Sequence, residues 1–324
     1  MPLGEAAALL NAVVWAATGV IAKTLSSAVR PIHVVTAHTL FASAAFLVIA
    51  VVSGGADNLI HAPAAALLFF GAAALFNTVG AFMFFTAISR GSVGGTYTTT
   101  TGLYIVLSLV AGVVVFHETV GPLAALGAAG IAVGGYILNG PGRITQGKNA
   151  ASREPVPAAG MGSGHPGDAR LPGFGRVAGL SSAQLYTGMG LGAATAVLWT
   201  FGLIVMKWGL ERSDVITGAF MRNAVAASLY LAFAFLSRKV GFPKTGRADW
   251  SRLLLSAAVF AISGYSWNYA LAHADAGITA VLASTSPVFA VAMAIIFLKE
   301  RLGRIAIAGA VVAAVGTLLV VAGQ

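Results

Sequence analysis

The sequence predicts an all-α integral membrane protein with ten transmembrane helices, arranged as two inverted five-helix repeats. The composition, ten long apolar runs and an internal duplication lead to this prediction. Of the 324 residues, 58% are hydrophobic and only 9% are charged, whereas soluble domains carry about 25% charged residues. A chain of this composition needs lipid as its solvent.

Ten apolar runs are close to the ~20 residues that a helix needs to cross a hydrocarbon core of about 30 Å. In the first half they are residues 4–22, 31–52, 63–86, 96–116 and 122–138. In the second half they are residues 185–206, 215–236, 253–272, 278–298 and 305–321. Backbone groups in lipid must be satisfied within the segment, so these runs are predicted to be helices rather than strands.

The two halves of the chain repeat one another. One offset of 184 positions aligns a Trp, a Lys and a basic residue of each half, namely Trp15, Lys23 and His38 with Trp199, Lys207 and Arg222. After a shift of two residues, Glu118 also aligns with Glu300. Because five is an odd number of spans, the second copy starts from the opposite membrane face. The repeats are therefore expected to be inverted.

The domain organisation follows from this duplication. Residues 1–139 are predicted to form the first repeat and residues 184–324 the second. Residues 140–183 between them are rich in Gly, Pro, Ala and Ser, as in flexible linkers. The glycine pattern at 162–167 fits a dinucleotide fingerprint, but no strand precedes it and Pro166 would start its helix poorly. No cofactor is therefore expected.

Charge excludes one class of partner and predicts an orientation. The net charge is +9, but the basic residues are scattered over short loops without an aromatic platform, so no nucleic acid is expected as a partner. Nearly all loop Lys and Arg residues follow odd-numbered spans, and the even-numbered loops hold only Lys207 and Arg212. The positive-inside rule then places the odd loops in the cytoplasm and both termini outside. The first span lacks a basic n-region, which argues against a cleaved signal peptide.

Arg222 is the strongest candidate for a functional residue. It lies about eight residues into the seventh span, where a charge costs about 2.5–3.5 kcal/mol and usually faces the bundle interior or a wet cavity. Its forked donors suit a carboxylate or another anionic group. His38 lies at the same depth in the second span and is expected to assist. The alternatives are an arginine bonded to backbone carbonyls and a satisfied core histidine.

Other polar and aromatic residues at membrane depth could line a cavity. Both repeat tryptophans lie well inside their spans rather than at the interface, and apolar walls with a few polar groups suit a small-molecule site. Packing is the alternative for the tryptophans, and interhelical hydrogen bonding is the alternative for the polar groups. The candidates are Trp15, Trp199, Asn77, Tyr97, Tyr265, Trp267, Asn268 and Ser284.

A hinge is predicted in the ninth span. Pro287 removes a backbone donor there, so the helix is expected to kink at this residue. Lys23 and Lys207 close the first and sixth spans, where a lysine usually anchors the helix at the interface.

The acidic residues all fall in loops or at span ends, and the sequence contains no Cys. No hydrolase, metalloprotease or nucleotide-binding motif is present. No catalytic site and no metal site are therefore expected.

These motifs resemble the drug/metabolite transporter superfamily, and specifically its EamA-type members with two five-helix EamA repeats. The resemblance rests on the W-x7-K pattern of each first repeat helix, on Arg222, on Ser286-Pro287-Val288-Phe289 and on Leu298-Lys299-Glu300-Arg301-Leu302. It implies a multi-pass protein of the cell inner membrane, usually an exporter, with a central cavity that opens alternately to each side. It also implies cytoplasmic termini, which opposes the loop charges. His38 stands where the pattern expects Arg.

The leading hypothesis is a secondary transporter that exports a small metabolite, either amino-acid-like or carrying a carboxylate, and that is not an enzyme. Its partners would be the small-molecule substrate and the lipid bilayer, and it could be a monomer or a homodimer. One alternative is a membrane-embedded enzyme that uses His38, Arg222 and Asn268 on a lipid-linked substrate. Another is a receptor or scaffold without transport.

Overall fold

The computed structural model describes residues 3–25, 29, 31–90, 93–139, 182–237, 246–298 and 304–323. All regular structure in these ranges is helical. In the first half the helices are α1 (Leu3–Leu25), α2 (Pro31–Val52), the short α3 (Ala56–Ile60), α4 (Ala64–Arg90), α5 (Val93–Val115) and α6 (Pro122–Asn139). In the second half they are α7 (Ser182–Leu210), α8 (Val215–Ser237), α9 (Arg247–His273), α10 (Ala276–Ala283), α11 (Ser286–Leu298) and α12 (Arg304–Ala322).

The helices include enough long apolar stretches for a multi-pass membrane protein. Within the described ranges, six stretches are long and apolar enough to span: Leu3–Ile21, Ile32–Val52, Ala64–Phe84, Tyr186–Leu210, Val215–Leu236 and Ala276–Phe297. Shorter apolar stretches lie in α5, α6 and α12. The eighth predicted span, in α9, is missing from both groups because this helix starts with charged residues and carries a polar cluster. The all-helical membrane fold is confirmed, whereas the count of ten spans is not.

Local chemistry explains where several helices begin. Pro31 and Pro122 are the first residues of α2 and α6, a position where the missing N–H has no partner in any case. Asp214 precedes α8, and its Oδ1 accepts hydrogen bonds from the N–H groups of Ile216 at 2.9 Å and Thr217 at 3.0 Å. This is the usual capping arrangement for the free donors of a first turn.

The ninth predicted span is interrupted rather than kinked. α10 ends at Ala283 and α11 starts at Ser286, so the break falls at Ser284 and Thr285, just ahead of Pro287. The hydroxyls of these two residues donate to backbone carbonyls of α10, at 2.7 Å for Ser284 and 2.6 Å for Thr285. Pro287 is the second residue of α11, where a proline costs little. Its predicted role as a hinge stays a prediction.

Helices of the first half pack mainly against helices of the second. α1 packs on α9, α7 packs on α4, and α6 packs on α12. Two hydrogen bonds show that the first two contacts correspond. Asn11 Nδ2 donates to the Ser263 carbonyl at 2.8 Å, joining α1 to α9, and Thr195 Oγ1 donates to the Gly80 carbonyl at 3.3 Å, joining α7 to α4. Asn11 and Thr195 are separated by the 184 positions that relate the repeats, and Gly80 and Ser263 are separated by 183.

A second pair of matching contacts uses side chains of different size. The Phe70 ring fills the space above Gly209 and Gly218, where an added Cβ would lie 2.5 Å and 2.9 Å from its Cε1 atom. In the corresponding contact, Leu253 of the second half packs in one buried cluster with Leu25 and Val34 of the first. A phenylalanine facing two glycines in one contact thus corresponds to three aliphatic residues in the other.

The contact between α6 and α12 is reciprocal. A Cβ added to Gly127 would lie 2.5 Å from the Gly316 carbonyl oxygen, and one added to Gly134 would lie 2.6 Å from that of Gly309. Gly127 corresponds to Gly309, and Gly134 corresponds to Gly316. Exchanging the two halves therefore converts the contact of Gly127 with Gly316 into the contact of Gly309 with Gly134. This is the pattern of a self-complementary contact about a two-fold axis, and it lets two helix backbones approach closely.

Candidate functional site

Most of the predicted site residues lie on α9 or against it. Tyr265, Trp267 and Asn268 are part of this helix, while Trp15, His38 and Arg222 contact it from α1, α2 and α8. The contacts run from Ser256 to Asn268, which is about 18 Å of helix at 1.5 Å per residue. α9 therefore forms one side of the candidate site.

Arg222 lies where α8 faces α9 across a glycine. One guanidinium nitrogen is 3.1 Å from the position that a Cβ at Gly264 would take, so any larger residue there would crowd the charge. The side chain is half-buried. Among the residues that the structure describes, Arg222 has neither an ion-pair partner nor a hydrogen-bond acceptor. An inward cation without a protein counter-ion is suited to bind an anionic group.

Asn268 lies one turn further along α9 than Gly264, on the same side of the helix. Its side chain is completely buried, and neither its amide nitrogen nor its amide oxygen is hydrogen-bonded to a described residue. Such an unsatisfied group costs about 1–3 kcal/mol and calls for an explanation. It lies one turn along α9 from Gly264, the glycine that Arg222 faces, and its amide carries both a donor and an acceptor.

His38, the repeat partner of Arg222, is satisfied by the protein. It is 5% exposed, its Nε2 lies 2.9 Å from Ser256 Oγ, and its ring stacks on Phe260 with centroids 4.9 Å apart. These contacts are those of a core histidine, the alternative that the sequence left open. The two basic positions of the repeat are therefore in different environments.

The two repeat tryptophans also differ in their surroundings. Trp15 is 51% exposed, and its ring centroid is 6.1 Å from that of Phe260 on α9. Trp199 lies against Gly80, where an added Cβ would come within 2.7 Å of its ring. Its centroid is 5.5 Å from that of Phe84 and 6.2 Å from that of Tyr104. Trp15 thus packs on α9, and Trp199 packs on α4, so each tryptophan contacts a helix of the other repeat.

Two further predicted residues use their polar atoms within their own helix. Asn77 Nδ2 donates to the Ala73 carbonyl at 2.8 Å and packs against Gly202. Ser284 donates to the Ala280 carbonyl at the break in the ninth span. Both contacts satisfy the backbone or join helices, which is the structural role that the sequence allowed.

The remaining predicted residues contribute aromatic surface. Tyr265 is 39% exposed and lies between Phe46, at 6.5 Å, and Tyr269, at 6.1 Å between ring centroids. Trp267 packs against the buried cluster that contains Phe70 and Leu271. Tyr97 belongs to α5, and its side chain is outside the described part of the chain.

The structure adds a polar cluster that the sequence did not predict. Lys207, expected to be an interface anchor, has its Nζ 2.8 Å from the Ala274 carbonyl oxygen and 3.4 Å from Glu118 Oε1. The Glu118 carboxylate is 5% exposed and accepts hydrogen bonds from the N–H groups of Ala276 and Gly277. The available signal was the duplication itself, since both the lysine and the glutamate occur in each repeat.

Asp275 lies beside this cluster, at the start of α10. Burial raises the pKa of its carboxyl above the ordinary value, the nearby Glu118 carboxylate raises it further, and Lys207 opposes both effects. The carboxyl is therefore easier to protonate than an isolated aspartate.

The fold and the site define a class of protein: a multi-pass helical membrane protein whose two halves pack reciprocally around an inward-facing arginine. Comparison with known proteins gives the family. A model of the EamA-like transporter family matches residues 2–140 and 186–322, and the chain belongs to this family. The resemblance seen in the sequence is thereby confirmed.

Two individual similarities agree with this assignment. The chain is 23% identical, over 132 residues, to an uncharacterized transporter of Archaeoglobus fulgidus, a match that covers 40% of this chain and 45% of that protein. The chain thus spans less than half the length of this curated relative. A protein of known crystal structure, 15% identical, superimposes with a TM-score of 0.74 over 99% of this chain and 97% of the other, which shows the fold.

Proposed function

We propose that the protein is a secondary transporter that exports a small, amino-acid-like metabolite across the cell inner membrane. The substrate carries a carboxylate, which Arg222 binds within a central chamber. The single observation that carries the proposal is the Arg222 guanidinium, which lies inside the bundle without a partner among the described residues. Charge-assisted pairs of arginine and carboxylate are among the strongest hydrogen-bonded contacts in proteins.

Asn268 supports an amino-acid-like substrate rather than a simple anion. Its unpaired amide lies one helical turn from Gly264, and hence about 6 Å along α9 from the residue that Arg222 contacts. An amide oxygen can accept from an amino group while Arg222 holds the carboxylate. Aromatic surface from Trp15 and Tyr265 would form the apolar walls.

Alternating access requires two halves that exchange roles, and the packing supports that arrangement. Contacts between α1 and α9 recur between α7 and α4, and the glycine contacts of α6 and α12 are reciprocal. These correspondences are expected for ten spans in two inverted repeats about an axis in the membrane plane. Small relative rotations of the halves could then expose the chamber to each side in turn.

Flux into proteoliposomes tests the proposal. The purified protein is reconstituted, and the uptake of a panel of amino acids and organic anions is measured with and without a pH gradient. For the compounds that are transported, Arg222→Ala should lower the flux about ten- to a hundredfold, because a hydrogen bond to a charged group is worth about 1.5–3 kcal/mol.

Arg212→Ala is the matched control. Arg212 is half-exposed and paired with Glu211, so its loss should leave the flux unchanged. Equal flux in the wild type and in Arg222→Ala would remove the site proposal. Chemical turnover of a lipid-linked substrate in detergent, where no compartments exist, would indicate an enzyme instead.

A further inference from the structure

α10 is a short, enclosed helix with a joint at each end. All its residues from Ala276 to Leu282 are buried, and it packs on α1, α5 and α9. Ala274 and Asp275 before it have extended backbone, and the break at Ser284 and Thr285 follows it. α10 is therefore a separate helical unit, joined to α9 and to α11 by residues outside both helices.

Glu118 holds the N-terminus of α10. Its carboxylate accepts the first N–H groups of this helix, from Ala276 and from Gly277 at 2.9 Å. A carboxylate at this position is also stabilised by the helix dipole. Glu118 reaches α10 because His117 adopts a left-handed backbone, with a φ of 56°, and turns the chain back over the end of α5.

Two glycines make room for the Glu118 carboxylate. A Cβ added to Gly112 of α5 would collide with Glu118 Oε2, and one added to Gly277 of α10 would lie 3.3 Å from the same atom. Leu109 of α5 also lies 3.3 Å from that Cβ position on Gly277. The carboxylate thus sits in a close-fitting gap between the end of α5 and the start of α10.

Lys207 completes the contact from α7. Its ammonium group donates to the Ala274 carbonyl at 2.8 Å, lies 3.4 Å from Glu118 Oε1, and sits 5.4 Å from the centre of the Phe116 ring. Glu118 and Phe116 belong to the first half of the chain, whereas Lys207 and α10 belong to the second. The cluster therefore ties one half to the other at a single end of the bundle.

We propose that Glu118 and Lys207 form a latch that holds α10 against α5, and that this latch must open before the central chamber can reach this end of the bundle. The proposal rests on the proposed transport by alternating access. Ser108 lies on α5 one turn deeper than Gly112, whose added Cβ would lie 3.3 Å from the Gly277 nitrogen at the start of α10. Ser108 is completely buried.

Ser108→Cys is a suitable reporter of the latch. The substitution is nearly isosteric, and the chain has no other Cys. The protein is placed in lipid nanodiscs, and the rate of labelling by a water-soluble maleimide is measured. Labelling should be slow with the latch intact. Adding Glu118→Gln should raise the rate at least tenfold, and Lys207→Gln should act in the same direction.

Glu211→Gln provides the matched control. It removes one carboxylate from an exposed ion pair with Arg212, and it should leave the labelling rate of Cys at position 108 unchanged. Equal rates in Glu118→Gln and Glu211→Gln would overturn the latch. If Glu118→Gln fails to fold, as judged by aggregation in size-exclusion chromatography, the same comparison is made with Lys207→Gln.

Flux measurements separate this proposal from the one on which it rests. Faster labelling in Glu118→Gln together with no flux in the wild type would support the latch and count against transport. If the wild type transports and Glu118→Gln leaves the labelling rate unchanged, the transporter proposal stands and the latch proposal is wrong.

Discussion

Arg222 and His38 show how far two equivalent residues can diverge. His38 is held by Ser256 and Phe260, whereas Arg222 faces Gly264 without a described partner. Under the proposed function, only the second half would therefore supply a cation for the anionic group of the substrate. Asn268, next to Gly264, is a second polar group on that side whose hydrogen bonds are not made within the described residues.

The cost of leaving Asn268 unpaired gives a prediction about stability. Asn268→Leu should raise the free energy of unfolding by about 1 kcal/mol, because it removes a buried unsatisfied amide, and it should lower flux. Thermal unfolding in detergent and proteoliposome flux measure the two effects. Asn223→Leu is the control, since Asn223 is buried but donates to the Ala219 carbonyl at 2.7 Å. A stabilised Asn223→Leu, or an unchanged flux in Asn268→Leu, would contradict this account.

The raised pKa of Asp275 predicts a pH dependence of stability. The native state binds this proton more tightly than the unfolded state does, so the free energy of unfolding should fall as pH rises from the ordinary value of 3.8 through the raised native pKa. Asp275→Asn should flatten that part of the curve and stabilise the protein at neutral pH. Thermal melts at a series of pH values measure the effect, and an identical slope in both proteins would refute it.

For single residues, the sequence predicted depth within the helices, and the binding roles of the site residues stay predictions. The depth of Arg222 in an apolar run predicted its inward position, since a charge cannot remain in lipid. The sequence could not predict the pairing of Lys207 with Glu118, because the two positions are far apart in the chain. A lysine at a helix end is also explained more simply as an anchor at the membrane interface. The role of His38 depended on Ser256 and Phe260, which no local pattern connects to it.

The interrupted ninth span illustrates what a pattern of elements can predict. A proline in an apolar run predicts a disturbance of the helix, and the disturbance is present. The break lies at Ser284 and Thr285, just ahead of the proline, because Pro287 has no N–H for the Ala283 carbonyl, and the two hydroxyls donate to carbonyls of α10 there. Pro287 is the second residue of α11, where its missing donor costs little.

The contact of α4 with α7 and α8 predicts a compensating pair of substitutions. Gly209→Ala should destabilise the protein by about 1–3 kcal/mol, because its Cβ would overlap the Phe70 ring. Adding Phe70→Leu should recover most of that loss, since the corresponding contact packs Leu253 against Leu25 and Val34. A double-mutant cycle of thermal stabilities measures the coupling. Gly71→Ala on α4, where an added Cβ meets nothing within 4 Å, should be tolerated.

Additive effects of Gly209→Ala and Phe70→Leu would contradict the correspondence of these two contacts. The double-mutant cycle also tests the correspondence of the repeats, because the leucine introduced at position 70 copies Leu253 of the corresponding contact.

For the whole molecule, the duplication predicted two similar halves, and the packing brings them together across almost every major contact. Sequence spacing could not predict which helices would meet, because that depends on how the halves dock. The paired hydrogen bonds of Asn11 and Thr195 and the glycine contacts of α6 and α12 became visible only in the fold. Residues 140–181, most of the predicted linker, lie outside the described part of the chain.

The dominance of contacts between the halves predicts that the connection is dispensable. Residues 1–139 and 184–324, expressed as separate chains in one cell, should copurify in mild detergent and retain flux, because α1, α4 and α6 each find their main partner in the other half. Affinity purification through a tag on one fragment, followed by size-exclusion chromatography, tests this. Adding Gly134→Leu, which would collide with α12, should weaken the association. Fragments that elute apart would contradict the prediction.

The crossing of α6 and α12 bears on how such a molecule could arise. Gly127 packs against Gly316, and Gly134 packs against Gly309. In an ancestor of half this length that paired with a copy of itself, the same two glycine positions would have made both contacts. A single chain of half this length could have closed this contact with a copy of itself. After gene fusion, the two halves could diverge independently. The different environments of His38 and Arg222 are an example of such divergence.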